Sequence, residues 1–178
     1  MKTLKSLLLT TALMITSLTT TAQEKQSDAT WEETIEFLSN YSDMMMKFNN
    51  VQDVMDWEKF HKVNFVSEEN TTFLRLEYFW GDGDSWSTNF DLKYIENVVW
   101  KEGDGNDGIW RNRKNYIRIN FTRPQPSFFN NEKSDYEGLS IKLSDSEINK
   151  RYLKAFQHLA YLAKEKREAA RKASGDKF

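Results

Sequence analysis

Cysteine is absent from the chain. Its absence excludes disulfides, thiolate nucleophiles, iron–sulfur clusters and zinc sites with cysteine ligands. We also expect no lipid anchor of the kind that bacterial lipoproteins attach to an N-terminal cysteine. Side-chain packing alone must therefore hold the fold together.

Motifs that carry common chemistry are scarce as well. The two histidines, His61 and His158, stand in none of the spacings that bind zinc. We expect His61 to be partly buried on a strand face and His158 to lie on a helix surface. A nucleophile elbow, a phosphate-binding loop and a dinucleotide-binding fingerprint are missing too. The sequence therefore assigns no cofactor and no metal ligand, and it gives no positive sign of catalysis.

The first 22 residues have the composition of a secretory signal peptide. Lys2 and Lys5 precede an apolar run over 7–18, and small residues follow as far as Ala22. This order predicts export and cleavage after Ala22. The apolar run is too short to span a bilayer, and polar residues follow it. We therefore expect a periplasmic or secreted protein with no transmembrane segment in its mature form.

Charge argues against nucleic acid as a partner. Without residues 1–22, the chain has 23 basic and 27 acidic residues, a net charge of −4. No global positive field is then present to attract nucleic acid or an anionic membrane. Hydrophobic residues make up 39% of the chain and aromatic residues 14%, which is enough apolar side chain for a folded core.

The rest of the chain predicts one domain between two polar ends. We assign 23–29 to a flexible leader, 30–165 to a single domain and 166–178 to a polar helix end or tail. Thr30 and Glu33 have the spacing of a capping box, which predicts the start of a helix.

Helical spacing of apolar residues predicts a helix over 31–47 and a further helical turn over 51–58. The closing segment predicts a long helix that starts at Ser144 or Ser146 and carries an apolar stripe as far as Ala163. Beyond that residue the chain is polar on all sides, so we expect it to project into water or fray.

Alternating apolar and polar residues predict about six antiparallel strands between those helices. The stretches that alternate are 59–67, 71–80, 86–92, 98–100, 115–121 and 137–143. A predicted loop over 123–136 holds both prolines of the chain. The predicted fold class is α+β, with an N-terminal helix, a curved antiparallel sheet of about six strands, and a long C-terminal helix packed on the sheet.

The run Asn89–Val98 and the closing helix resemble parts of pleckstrin-homology-like (PH-like) domains. Small exported bacterial proteins of uncharacterised function with a PH-like fold share these features, over roughly 59–165 of this chain. The resemblance implies a curved sheet that a C-terminal helix closes. Phosphoinositide binding does not follow, because the loop that is basic in the binding members carries Glu68 and Glu69 here.

Two loops rich in glycine and aspartate are each bracketed by tryptophans. Such loops are typical of hairpin tips, with the tryptophans packed as anchors. The alternative is a binding site, where indole rings stack on a sugar and carboxylates hold hydroxyl groups or a hard cation such as calcium. The candidate ligand-binding residues are Trp80, Asp82, Asp84, Trp86, Asp104, Asp107 and Trp110.

The loop with the prolines offers a second candidate surface. Phe128 and Phe129 are adjacent, so on an extended backbone their side chains point in opposite directions and one can be displayed to a protein partner. In the other interpretation, the loop folds back and both rings seal the sheet edge. We therefore expect a non-catalytic binding or structural module whose partner is a glycan or an envelope protein. A hydrolase that uses paired loop carboxylates is a third hypothesis.

Overall fold

The computed structural model describes residues 27–51, 54–79, 83–101 and 115–175, and for 48–51 and 54–58 it describes the backbone. In this part of the chain, two α-helices frame eight strands. The helices are α1 (Trp31–Asn40) and α2 (Ser146–Ala173). The strands are β1 (Met45–Val51), β2 (Val54–Lys59), β3 (Lys62–Glu68), β4 (Thr71–Phe79), β5 (Ser85–Asp91), β6 (Ile95–Lys101), β7 (Tyr116–Phe129) and β8 (Glu132–Leu143).

The strands form one antiparallel sheet. Along the sheet their order is β2-β1-β8-β7-β5-β4-β3, and β6 pairs with the first half of β7. The second half of β7 pairs with β5. Strands β7 and β8 pair with each other at both ends and form the long central hairpin of the sheet.

The sheet is curled into a half-barrel. Lys47 on β1 lies over the ring of Tyr78 on β4, with its Nζ atom 3.4 Å from the ring centroid, although three other strands separate β1 from β4 in the sheet. The backbone N–H of His61, between β2 and β3, donates a hydrogen bond of 2.9 Å to the Glu77 carbonyl of β4. The contact between Lys47 and Tyr78 joins strands that are not neighbours in the sheet, as its curl allows, whereas the His61 hydrogen bond extends the pairing of β3 with β4.

Helix α2 supplies much of the core. Its residues Tyr152, Phe156 and Leu159 are fully buried and belong to the same apolar cluster as Ile141 of β8. The Tyr152 hydroxyl donates a hydrogen bond of 2.8 Å to the carbonyl of Leu38, which connects α2 to α1. Burial raises the pKa of the Tyr152 phenol well above its usual range, so this hydroxyl keeps its proton.

The predicted fold class is confirmed. A short N-terminal helix, a curled antiparallel sheet and a long C-terminal helix packed on it make an α+β fold. The six predicted strands correspond to β3 through β8. Among the residues that the structure describes, no helix is both long and apolar enough to cross a membrane.

The helix predicted over 31–47 extends too far, and the helical turn predicted over 51–58 is wrong. Helix α1 ends at Asn40, and β1 and β2 form a hairpin where the sequence predicted helix. Apolar residues in this stretch fit either period, so their spacing does not distinguish helix from strand. Pairing with the sheet decides the outcome, because Met45 of β1 lies opposite Leu143 of β8 and its side chain is 1% exposed.

The prediction of a loop over 123–136 is also wrong, because these residues are mostly in β7 and β8. Pro124 falls where the register between the two strands shifts, between Asn120 and Gln125. A proline has no N–H to donate to the ladder, and it is therefore tolerated at such an irregularity. Strand β7 continues past it to Phe129.

The capping box at the start of α1 is confirmed. Thr30 Oγ1 accepts a hydrogen bond from the Glu33 N–H at 3.2 Å, and Glu33 Oε2 accepts one from the Thr30 N–H at 2.7 Å. At the start of α2 the cap is Asp145, and not Ser144 or Ser146. Its Oδ1 accepts hydrogen bonds from two N–H groups of the first turn, at 2.8 and 3.1 Å.

Helix α2 continues beyond Ala163 to Ala173. The Arg167 guanidinium donates hydrogen bonds to the carbonyls of Lys93 and Ile95, the second at 3.0 Å. These carbonyls lie at the short turn that leads into β6. The expectation that this part of the helix projects freely is therefore wrong as far as Arg167.

Both histidine predictions are wrong. His158 is 9% exposed rather than on the surface, and its Nε2 lies 2.7 Å from the carbonyl oxygen of Ala29. His61 is exposed, in the bend before β3. Its Nδ1 accepts a hydrogen bond of 3.1 Å from the N–H of Phe79, so hydrogen bonding rather than burial holds this ring.

Candidate functional site

One end of the sheet carries most of the exposed aromatic side chains. Phe79 is 49% exposed, Phe129 43%, Tyr136 40% and Phe128 39%. They are four of the five large apolar side chains that are exposed in the described part of the chain. We call these four residues, together with the half-buried Trp86, the aromatic end.

A two-residue turn positions the tip of the β7–β8 hairpin. Asn130 and Asn131 both have positive φ angles, 47° and 67°, which is the backbone that a type I′ hairpin turn requires and that asparagine tolerates. Asn130 also connects this tip to β5. Its N–H donates to the Ser85 carbonyl at 2.9 Å, and its Oδ1 accepts from the Ser85 N–H at 2.8 Å. The tip is therefore held firmly beside β5.

Strand register determines which face each aromatic ring occupies. Trp86 lies opposite both Tyr78 of β4 and Phe129 of β7, and residues directly opposite each other share a face of the sheet. Tyr78 is buried, so this shared face is the concave one. Phe128 lies opposite Ser87 and therefore projects from the other face. The hairpin tip thus presents one phenylalanine on each face.

The ring of Trp86 is already in contact with two others. It stacks on Phe60 with ring centroids 6.1 Å apart and meets Tyr136 in an edge-to-face contact at 6.0 Å. Its Nε1 atom is buried without a hydrogen-bond partner among the described residues. The contacts with Phe60 and Tyr136 therefore hold the Trp86 ring in place at the aromatic end.

Asp84 stabilises the same end of the sheet through a hydrogen bond to the hairpin tip. Its Oδ1 accepts a hydrogen bond of 2.7 Å from Asn130 Nδ2, which is the role that a turn carboxylate has in the hairpin-tip interpretation. Within the described ranges, no group of three or more histidine, aspartate or glutamate side chains is placed to hold a metal ion.

The other predicted loop residues, Trp80, Asp82, Asp104, Asp107 and Trp110, lie outside the described residues. The strands on either side of them are described. The first loop joins β4 to β5 at the aromatic end, whereas the second joins β6 to the start of β7. Strand β7 has 14 residues, which span roughly 40 Å at about 3.3 Å per residue. The two loops therefore leave the sheet at opposite ends of β7.

Sequence reasoning found Trp86, Phe128 and Phe129 but missed Phe79 and Tyr136. Phe79 follows the buried Tyr78 on the same strand, and two adjacent aromatic residues in a strand cannot both point inward. That signal was present in the sequence. Tyr136 was assigned to the loop that is now part of β8, so its place opposite Gln125 of β7 could not be seen.

Comparisons of this chain with protein-family models, curated proteins and solved structures found no match. The resemblance to PH-like domains therefore stays a prediction from the sequence. Function has to be inferred from the contacts and exposure of the aromatic end itself.

Proposed function

We propose that the protein is an exported, non-catalytic binding module that docks a protein partner of the cell envelope through its aromatic end. One observation carries this proposal, namely the concentration of Phe79, Phe128, Phe129 and Tyr136 at a single end of the sheet with 39–49% of each side chain exposed. Export, to the periplasm or the exterior, is supported by the signal-peptide pattern over 1–22.

A cluster of exposed phenylalanines favours a protein partner. Single exposed apolar residues are ordinary on a protein surface, whereas four of them grouped at one end of a sheet, on both of its faces, are typical of an interaction site. Aromatic residues are also enriched among the side chains that contribute most to binding energy in protein interfaces. The tight Asn130–Asn131 turn holds Phe128 and Phe129 in place before binding, which lowers the entropy that docking would cost.

The surroundings of the phenylalanines also suit a protein interface. Glu132, Lys133 and Asp135 are exposed on β8 beside the tip, and both signs of charge next to an apolar centre are typical of an interface rim.

A glycan is less well supported by the described residues. Sugar stacking needs an exposed ring face, but Phe60 covers one face of Trp86 and Tyr136 contacts its edge. Phenylalanine also has no polar group to bind a hydroxyl. Glycan or cation binding would rest on Trp80, Trp110 and the loop carboxylates.

The test is a pull-down from envelope extract of the producing organism, followed by titration with the purified partner. The variant Phe128→Ser/Phe129→Ser should lose the partner, with affinity weakened about tenfold to a hundredfold. Tyr161→Ser is the matched control, because Tyr161 is 40% exposed on α2, outside the aromatic end. Equal retention by the double variant, or specific binding of a glycan instead of a protein, would contradict the proposal.

A further inference from the structure

A groove of about 490 Å³ lies between α1 and the turn that joins β3 to β4. It is at the opposite end of β4 from Phe79, so it is separate from the aromatic end. Trp31 and Phe65 are its aromatic lining residues, and carboxylates stand on two sides of it. Its volume suits a few side chains rather than a folded domain.

Trp31 is fixed in place and already holds an ammonium group. Its Nε1 donates a hydrogen bond of 3.1 Å to Thr72 Oγ1. Lys166 of α2 places its Nζ atom 4.0 Å from the centroid of the Trp31 ring, which is a cation–π contact. The groove thus contains an indole face that accepts an ammonium group in this structure.

The charge of the groove is mainly negative. Glu32 and Glu36 on α1 are four residues apart and so lie on one face of the helix, while Glu69 lines the groove from the β3–β4 turn. None of the three has an ion-pair partner among the described residues. Lys166 is the one cationic residue among the described residues that line the groove. Three carboxylates therefore face a single ammonium group.

Glu32 and Glu36 also have a spacing that fits an extended chain. Four residues along an α-helix advance about 6 Å, and alternate side chains on the same face of an extended peptide are about 6.8 Å apart. Two basic side chains of an extended segment can therefore reach both carboxylates at once.

From these contacts we infer that the groove binds an extended, lysine-bearing segment of a partner polypeptide. One lysine of the segment replaces Lys166 on the Trp31 ring, and neighbouring basic side chains pair with Glu32, Glu36 and Glu69. The inference does not depend on the proposed function, because it uses none of the residues of the aromatic end.

The test measures binding of a fluorescein-labelled peptide of alternating lysine and serine by fluorescence anisotropy. Binding should weaken as salt is added, because the carboxylates are exposed to solvent. Glu32→Gln, Glu36→Gln and Glu69→Gln should each weaken it about two- to fivefold. Glu96→Gln makes the same change of charge on β6, outside the groove and the aromatic end, and should leave binding unchanged.

The Lys166→Met substitution should change the affinity for the peptide in the opposite direction. It keeps an apolar side chain over Trp31 but removes the competing ammonium group, so the peptide should bind more tightly. A purely structural role of Lys166 would not produce this gain. Thermal melts of every variant show that each is folded.

Several results would overturn the inference. They are a peptide that does not bind at low salt, a loss of affinity in Glu96→Gln equal to that of the groove variants, or a Lys166→Met variant that binds no more tightly than wild type. A serine–glutamate peptide that binds equally well would exclude charge recognition. Free spermidine that binds as tightly as the peptide would replace the polypeptide by a polyamine, and a dimer of this chain that the Glu32 and Glu36 variants break would replace it by a second copy.

Discussion

Tyr152 connects the two helices at the centre of the core, and removing its hydroxyl should have a measurable cost. Its side chain is fully buried, and its hydroxyl donates to the Leu38 carbonyl at 2.8 Å and lies 3.3 Å from Met45 Sδ. Tyr152→Phe keeps the ring and its edge-to-face contact with Phe156. The substitution therefore isolates the hydrogen bond from the packing of the ring.

The expected loss follows from the group left behind. A buried acceptor without a partner costs about 1–3 kcal/mol. For a domain of this size, about 1 kcal/mol shifts the melting temperature by about 2–4 °C. We therefore expect Tyr152→Phe to lower the free energy of unfolding by about 1–3 kcal/mol and the melting temperature by about 2–12 °C.

The assay is urea unfolding and a thermal melt, each followed by circular dichroism. Tyr161→Phe, on the exposed side of the same helix, is the control and should change the free energy of unfolding by less than about 0.5 kcal/mol. A Tyr152→Phe variant as stable as the control would show that the hydroxyl does not hold α1 to α2, and the reasoning would be refuted.

Three further substitutions test other contacts. Gly138→Ala places a Cβ atom 2.6 Å from the Ile119 carbonyl oxygen, so urea unfolding should show a loss of about 1–3 kcal/mol; an unchanged midpoint would contradict this close approach. Asp145→Ala removes the cap of α2 and should cost about 1 kcal/mol in the same assay, whereas Ser144→Ala should cost little. Hydrogen bonds from the backbone and then the side chain of Thr30 hold the pKa of Glu33 below its ordinary value of 4.5. The stabilisation that the ionised Glu33 carboxylate gives is therefore present above pH 4.5 and lost as the pH falls through the lowered pKa. Glu33→Ala should melt at a lower temperature than wild type at pH 7, and the two melting temperatures should converge in acid. A difference in melting temperature that persists in acid would exclude the ionised carboxylate as its cause.

The sequence predicted the fold class because apolar and polar residues alternate along its strands, most regularly in β4. In β4, for example, Leu74, Leu76 and Tyr78 are buried while the residues between them are not, and this alternation is visible in the order of residues alone. The capping box at Thr30 was equally visible because it depends on residues only three apart.

The errors arose where a distant partner decides the local structure. Met45 becomes a strand residue because it pairs with Leu143, and no local pattern records that pairing. His158 is buried because α2 lies against Ala29, which again is a contact between distant parts of the chain. Spacing along the sequence cannot predict contacts of this kind.

The same limit applies to the candidate site. Adjacent phenylalanines indicated that Phe128 or Phe129 could be displayed, and both are exposed. The grouping of Phe79 and Tyr136 with them depends on strand register, through Ser85 and Gln125 respectively. Individual residues of the aromatic end were therefore predictable, whereas the surface that they form together was not.

Site-specific photo-crosslinking in the producing cell tests most directly whether the aromatic end docks a protein. The photoreactive amino acid p-benzoylphenylalanine would replace Phe128 in one variant and the exposed Tyr161 in another. The account predicts a discrete protein adduct from position 128 and none from position 161. No adduct from position 128, or the same adduct from both positions, would contradict it.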